Sequence, residues 1–322
     1  IIGTLITISS NSWVSMWVGL EVNLLSIIPL MTNIKNKMES EAAMKYFIVQ
    51  AMASTLFMLA ITMIMFNNEY MIMGKTSMIL DMAILTKMGA APFHFWFPEV
   101  MEGLSWMNAT IMLTWQKIAP MMIFMYSMKS MTMSTMVIIM SMMISGLMGI
   151  NQTSIRKILA YSSINHIGWM IGAMMTNQTL WLIYFTIYSV MTVNMTIMFK
   201  LLNTTSITQL ANTLNKMKII KILFSMNFLS LGGIPPFIGF YPKWITINSM
   251  IQEDMFMLTF IMIMMTLISL IFYMRLTFNS MVITTEEIKN NTKSNSNITF
   301  LMIMNFIVLS MLSACPMMIS FF

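Results

Sequence analysis

The sequence predicts an all-α fold: a polytopic membrane helical bundle of about eleven transmembrane helices, the first one truncated, built as inverted repeats with two discontinuous helices. Three observations carry this. Of 322 residues, 58% are hydrophobic and only 9% charged, with a mean hydropathy of +0.78. Apolar runs near twenty residues, the length needed to cross about 30 Å of hydrocarbon, recur from end to end. Two of these runs are broken by glycine and proline. Such a balance excludes an ordinary cytosolic enzyme and leaves almost no chain for a soluble domain.

The elements follow in order. Ile1 to Ser9 (IIGTLITIS) is too short to cross a bilayer and reads as the tail of a truncated first span. Hydropathy and loop signals place ten more spans at approximately 13–32, 43–66, 77–97, 107–126, 131–150, 158–175, 180–200, 219–251, 255–276 and 298–321. The whole of 1–322 is then one transmembrane domain: a first inverted unit at approximately 13–150, a second at 151–297 and a terminal helix at 298–321. Segments 201–218 and 277–297 are rich in Asn, Thr, Ser and Lys, as solvated connectors are.

Charge supports the count. With the loop of Lys35 and Lys37 on side A, alternation puts Lys45, Arg156, Lys157, Lys200, Lys216, Lys218, Lys221, Arg275, Lys289 and Lys293 on or near the same side. Side B receives only Lys75 and Lys129. By the positive-inside rule side A is cytoplasm or mitochondrial matrix. The formal charge of +6 therefore orients the chain in a bilayer and does not indicate nucleic acid.

Other compositional features exclude chemistry. The single cysteine, Cys315, supports neither an internal disulfide nor an iron–sulfur or structural zinc site. The 48 methionines stand where Ile or Leu would serve, as in Ile261 to Met265, and follow no ligand spacing. An AT-rich mitochondrial genome, whose code reads an Ile codon as Met, accounts for them. The sequons at Asn108, Asn151, Asn177, Asn194 and Asn203 are those expected by chance in an Asn- and Thr-rich chain.

Ionisable residues inside apolar spans are expensive, about 2.5 to 3.5 kcal/mol each on insertion scales, so each is a candidate functional residue. Glu21 in WVGLEVNLL, Lys87 in MAILTKMGAAP, Lys117 in MLTWQKIAP and Lys243 in GGIPPFIGFYPKW qualify. The structural alternative is an ion pair or a snorkelling side chain, and it weighs most for Lys243, close to a span end. Groups so placed can exchange a proton when a neighbouring charge changes, and a chain of them joined by water is a proton relay. His166 in SSINHIGWM is a candidate member because imidazole titrates near neutrality; the alternative is a hydrogen-bonded interior histidine. Asp81 lies nearer the side-B end and reads as interfacial.

The breaks lie at Gly89-Ala90-Ala91-Pro92 and Gly232-Gly233-Ile234-Pro235-Pro236. Proline removes a helix hydrogen bond and frees backbone groups, which survive at membrane depth only when buried or facing water. Pro92 to Glu99 also aligns with Pro236 to Lys243, sharing both prolines, the first Phe and two aromatics before the second Pro, at an offset of 144 residues. The two segments are five spans apart and so run in opposite directions. Paired broken helices in inverted halves point to an ion site.

The strings WVGLE, KYF, APFHFW, LTWQKIAP, GINQTSIRKILAYSSINHIGW, NFLSLGGIPPF and GFYPKW resemble the mitochondrially encoded, antiporter-like subunit 2 family of NADH:ubiquinone oxidoreductase (NADH dehydrogenase, respiratory complex I), insect versions most of all. The likeness runs over nearly the whole chain. It implies a core membrane-arm subunit of an H+-translocating enzyme of the respiratory chain, multi-pass in the mitochondrial inner membrane, with basic loops on the matrix side. It also implies that Glu21, Lys87, Lys117 and Lys243 carry proton translocation coupled to electron transport. NADH, FMN, iron–sulfur clusters and ubiquinone would then belong to other subunits. This chain has no G-x-G-x-x-G, Walker loop or cysteine cluster to bind a redox group. The expected partners are neighbouring antiporter-like subunits and lipid, with no nucleic acid. A free-standing cation/proton antiporter is the alternative, since the same lysines serve both; a scaffold whose buried charges only stabilise helix packing is a second.

Overall fold

A computed structural model describes residues 1–33, 36–66, 70–128, 130–214, 218–282 and Asn305. The expected terminal span at 298–321 lies outside the described residues except for Asn305, as do Lys35, Lys129, Lys216, Lys289, Lys293 and Cys315. Within them the regular structure is helical throughout, apart from an isolated bridge between Ser154 and Ser206. Two compact units are formed, Ile1–Ile144 and Ser145–Phe322.

In the first unit, α1 (Ile2–Ser9) lies against α2 (Trp13–Met31). Small residues set that contact: a Cβ on Gly3 would stand 2.8 Å from Gly19 O, and one on Gly19 2.9 Å from Gly3 O. Close approach through glycine replaces the hydrophobic driving force that lipid removes. Next come α3 (Lys37–Phe66) and α4 (Tyr70–Met88), then, after a break, the short α5 (Trp96–Gly103), which packs on α3. Helices α6 (Trp106–Leu113) and α7 (Trp115–Ser127) fill the span expected at 107–126 and are parted at Thr114, with φ −113° and ψ −73°. The sequence predicts a continuous span here; the break falls six residues before Pro120, which lies inside α7. Helix α8 (Met131–Ile150) passes into the second unit.

The second unit is organised around α9 (Ile155–Thr176), buried without interruption from Ile158 to Met174. A helix covered on all sides need not be amphipathic, and α9 carries Ser162, Ser163, Asn165 and His166 into the interior. Around it stand α10 (Gln178–Leu202), α13 (Phe240–Gln252) and α14 (Phe256–Val282). Two expected connectors are shorter than predicted. Part of 201–218 is a helix, α11 (Ile207–Leu214), because Ile207, Leu210, Ala211 and Leu214 form one apolar face that is buried, with α14 beside it. The predicted connector at 277–297 begins later, since Leu276 and Ser280 are buried and α14 continues to Val282. Helix α12 (Lys218–Gly232) precedes the second break.

Among the described residues five helices, α2, α3, α8, α10 and α14, are long and apolar enough to cross a bilayer unbroken. Polar side chains hold other elements together, as expected where lipid is as apolar as leucine. Asn194 on α10 donates to Asn305 Oδ1 at 2.9 Å, and Asn227 on α12 donates to the same oxygen. Arg275 on α14 donates to the carbonyls of Ile150 and Gln152, which lie at and just past the end of α8.

Both breaks are built alike. Gly89 and Gly233 take left-handed φ values of 72° and 76°. In each, the glycine N–H bonds three residues back (Gly89 to Thr86 O, 3.2 Å; Gly233 to Ser230 O, 3.0 Å) and the next N–H five back (Ala90 to Leu85 O, 3.1 Å; Ile234 to Leu229 O, 3.3 Å). This is the Schellman helix ending, which needs a residue free to adopt positive φ. The prolines expected to break the spans, Pro92, Pro235 and Pro236, follow it, with cis bonds at Ala91–Pro92 and Pro235–Pro236.

The second break closes so tightly that a Cβ on Gly239 would sit 1.7 Å from Ser230 O. Overpacking against backbone cannot be relieved by a rotamer change, so Gly239→Ala is expected to cost about 3 kcal/mol or more. The check is the amount and thermal stability of the mutant protein in membranes, both of which should drop.

Candidate proton-transfer site

In the first unit the break converges on a small cavity. Helix α4 ends one residue after Lys87, and the Schellman turn sends the chain back so that Trp96 Nε1 donates to Thr86 O at 3.1 Å. Lys87 thus points inward, with its side chain 3% exposed, and its Nζ lies 3.4 Å from Glu21 Oε1 in the middle of α2. Glu21 is 24% exposed. Its placement follows from Gly19, which lets α2 approach α1 and leaves the next turn of α2 facing α7 and α3.

Lys117 enters from the first turn of α7, 2% exposed, with Nζ 5.5 Å from the centre of the Phe97 ring. A cation over an aromatic face gains electrostatic stabilisation that is largest when water is excluded. The cavity is lined by Tyr46, Gln50, Lys87, Trp96, Gln116 and Lys117 among others. Its volume open to water centres is ≈ 20 Å³, above the roughly 10–15 Å³ that one water needs. Polar walls and sufficient room make a water bridge between the two lysines chemically feasible.

Three side chains of this site were not singled out from sequence. Asn23 and Gln116 exchange a reciprocal pair of hydrogen bonds, 3.1 and 3.2 Å, joining α2 to α7 beside Glu21 and Lys117. Gln50 on α3 donates to Lys87 O at 3.4 Å, taking up a carbonyl near the helix end. For Asn23 and Gln116 the available signal was an uncharged amide one or two positions from a charged candidate; for Gln50 it was only an amide inside an apolar run.

The second unit holds a different arrangement. Lys243 in the first turn of α13 is 6% exposed and donates to Gly232 O, the last carbonyl of α12, at 2.8 Å. It does not snorkel to the surface. A lysine on a helix C-terminus is stabilised by the carbonyl and by the negative end of the macrodipole. Its Nζ also stands 5.9 Å from the Trp169 ring of α9. One turn earlier on α9, His166 Nδ1 is 2.9 Å from the Tyr184 hydroxyl, with the Tyr188 ring centred 5.0 Å away. His166 is thus buried and hydrogen-bonded, in the same unit as Lys243.

The two lysines of the broken helices are not equivalent positions. At the 144-residue offset Lys87 matches Leu231, and Lys243 matches Glu99. Glu99 is exposed and bridged to Lys45 at 2.9 Å. One unit thus carries its buried lysine before the break and the other after it. Asp81, expected at the interface, is buried and accepts from Ser127 Oγ at 2.6 Å; two helix faces close over it. Among the described residues no His, Cys, Asp and Glu cluster could hold a metal.

Membrane-length helices, two broken ones and buried lysines that could trade protons through water define a membrane protein of the antiporter-like kind. Residues 10–269 match the family described as NADH:quinone oxidoreductase/Mrp antiporter, transmembrane, and the chain belongs to it. It is 47% identical to NADH-ubiquinone oxidoreductase chain 2 of Anopheles gambiae over 315 residues, covering 95% of this chain and 92% of that one. The Aedes aegypti chain 2 is 46% identical over 312 residues, 95% of this chain and 91% of the relative. Its fold matches a chain of respiratory complex I from Thermus thermophilus with a TM-score of 0.85 at 22% identity, covering 96% of this chain and 75% of that one.

Proposed function

We infer that this chain is a core membrane-arm subunit of respiratory complex I and takes part in moving protons across the membrane as electrons pass from NADH to ubiquinone in other subunits. The observation that carries the mechanism is the pair of half-buried Glu21 with buried Lys87, whose lysine lines one cavity with Lys117. Opening or closing that pair changes the charge felt at Lys117, so a proton there is held in one state and released in the other. The proton then passes to the second unit, with Lys243 and His166 as the groups that receive it, and out. Each charge moved against 100 mV costs about 2.3 kcal/mol, which the redox reaction must supply.

The membrane is the mitochondrial inner membrane, with the lysine-rich loops on the matrix side; the basic asymmetry and the methionine-rich composition support this. The two broken helices are the equivalent elements of an inverted repeat, supported by their matching Schellman endings. Neighbouring antiporter-like subunits and lipid cover the outer faces, and no redox cofactor is bound by this chain.

The test is a native gel of mildly solubilised mitochondrial membranes, stained for NADH oxidation and searched by mass spectrometry for peptides of this chain. They are expected in the large NADH-oxidising band. Recovery only in a small inactive band would make the chain an autonomous antiporter.

A further inference from the structure

Asp81 has no part in the relay described above, yet it is 3% exposed on α4. Its hydrogen bond comes from Ser127 Oγ, at 2.6 Å, the last residue of α7. Among the described side chains no ion pair reaches it; Lys129 and the Lys75 side chain lie outside them. Three residues beyond Ser127, the Ser130 hydroxyl oxygen is buried with no hydrogen-bond partner among the described residues. An intramembrane carboxyl is a candidate functional residue by default, and a buried hydroxyl with no partner among the described residues fits a water.

Its position along the helices is what gives it a role. Asp81 precedes Lys87 on the same helix by six residues, about 9 Å. Ser127 follows Lys117 on the same helix by ten residues, about 15 Å. Both displacements run toward side B, the face poor in basic residues. The pair therefore bridges the same two helices that carry Lys87 and Lys117, one level nearer that face. The other unit lacks it: the position 144 residues on is Ser225, so the acid is not a packing feature of the repeat.

We propose that Asp81, positioned by Ser127, is a proton-carrying group of the first unit that serves its side-B end. The carboxylate takes a proton from a water on the lysine side as that water's O–H bond breaks, a proton from the lysine side replaces the one the water gave up, and the carboxyl then passes its proton to a water on the side-B side and returns to carboxylate. This rests on the proton-translocating reading.

The experiment uses the whole complex, carrying Asp81→Asn, Asp81→Glu or Lys117→Met, reconstituted into sealed soybean-lipid vesicles with a pH-sensitive dye. Asp81→Asn keeps an acceptor for Ser127 and cannot carry a proton. NADH-driven acidification is expected to fall about tenfold or more, the scale of losing one positioned proton-transfer group, and Asp81→Glu to restore most of it. Wild-type acidification in the Asn variant overturns the proposal. If Lys117→Met still abolishes acidification there, the wider reading stands; if neither variant matters, the reading fails as well. Should the Asn variant not assemble, the unmodified complex is treated with dicyclohexylcarbodiimide, which adds to protonated membrane carboxyls. Modification of the Asp81 peptide in step with lost acidification supports the proposal. An unmodified Asp81, or full modification with acidification intact, refutes it.

Discussion

Lys117→Met is expected to leave the assembled complex at its normal level and to reduce NADH-driven proton ejection about tenfold or more, the range for removal of a positioned acid or base. The side chains are close in length and volume, so the packing of α7 against Phe97 survives. Methionine also removes a charge whose burial in the bilayer costs about 2.5 to 3.5 kcal/mol, so stability should hold or rise. Loss of pumping without loss of assembly separates a relay group from a packing group. The measurement is protons ejected per NADH oxidised in sealed vesicles, beside the amount of complex on a native gel. An unchanged ratio removes Lys117 from the relay, and a collapse of assembly returns it to the scaffold reading.

What the sequence made legible here was cost. Glu21, Lys87, Lys117 and Lys243 stood out because each is expensive in an apolar run, and Gly89 and Gly233 because each interrupts a helix. What it concealed was partnership. Glu21 and Lys87 are 66 residues apart and meet because the Schellman turn at Gly89 folds α5 back and Gly19 lets α2 close on α1. Lys243 looked like a candidate for a carboxylate partner or a snorkelling role; its partner is a main-chain carbonyl, which no residue pattern advertises. The amides Asn23, Gln50 and Gln116 carry no charge penalty large enough to stand out, yet they fix the cavity walls. Asp81 read as interfacial from its place along the span; what the sequence did not show is that the end of α7 stands opposite and buries it. The helix in 207–214 was hidden by its polar half: four apolar residues in eight suffice once α14 is beside them.

The Glu21–Lys87 pair gives the other large effect, and its two halves are expected to respond unequally. Lys87 is 3% exposed and Glu21 24%. Glu21→Gln strands a buried cation beside a cavity with room for about one water, and breaking a buried pair from one side costs about 3 to 5 kcal/mol, the lower figure applying here because Glu21 is only half-buried. Lys87→Met leaves a carboxylate that this chain covers less completely, so its cost should be smaller, about 1 to 3 kcal/mol. The double variant removes both charges and should recover most of the lost stability, since a neutral pair of similar volume is often no worse than the ion pair. Pumping follows a different order. All three variants are expected to lose it, because none retains a pair that can open and close beside Lys117. The thermal midpoints of the three complexes, read beside their proton ejection, carry the decision. If the double variant regains stability without pumping, the pair is a switch; if it regains both, the charges serve packing alone and the coupling must run through other residues.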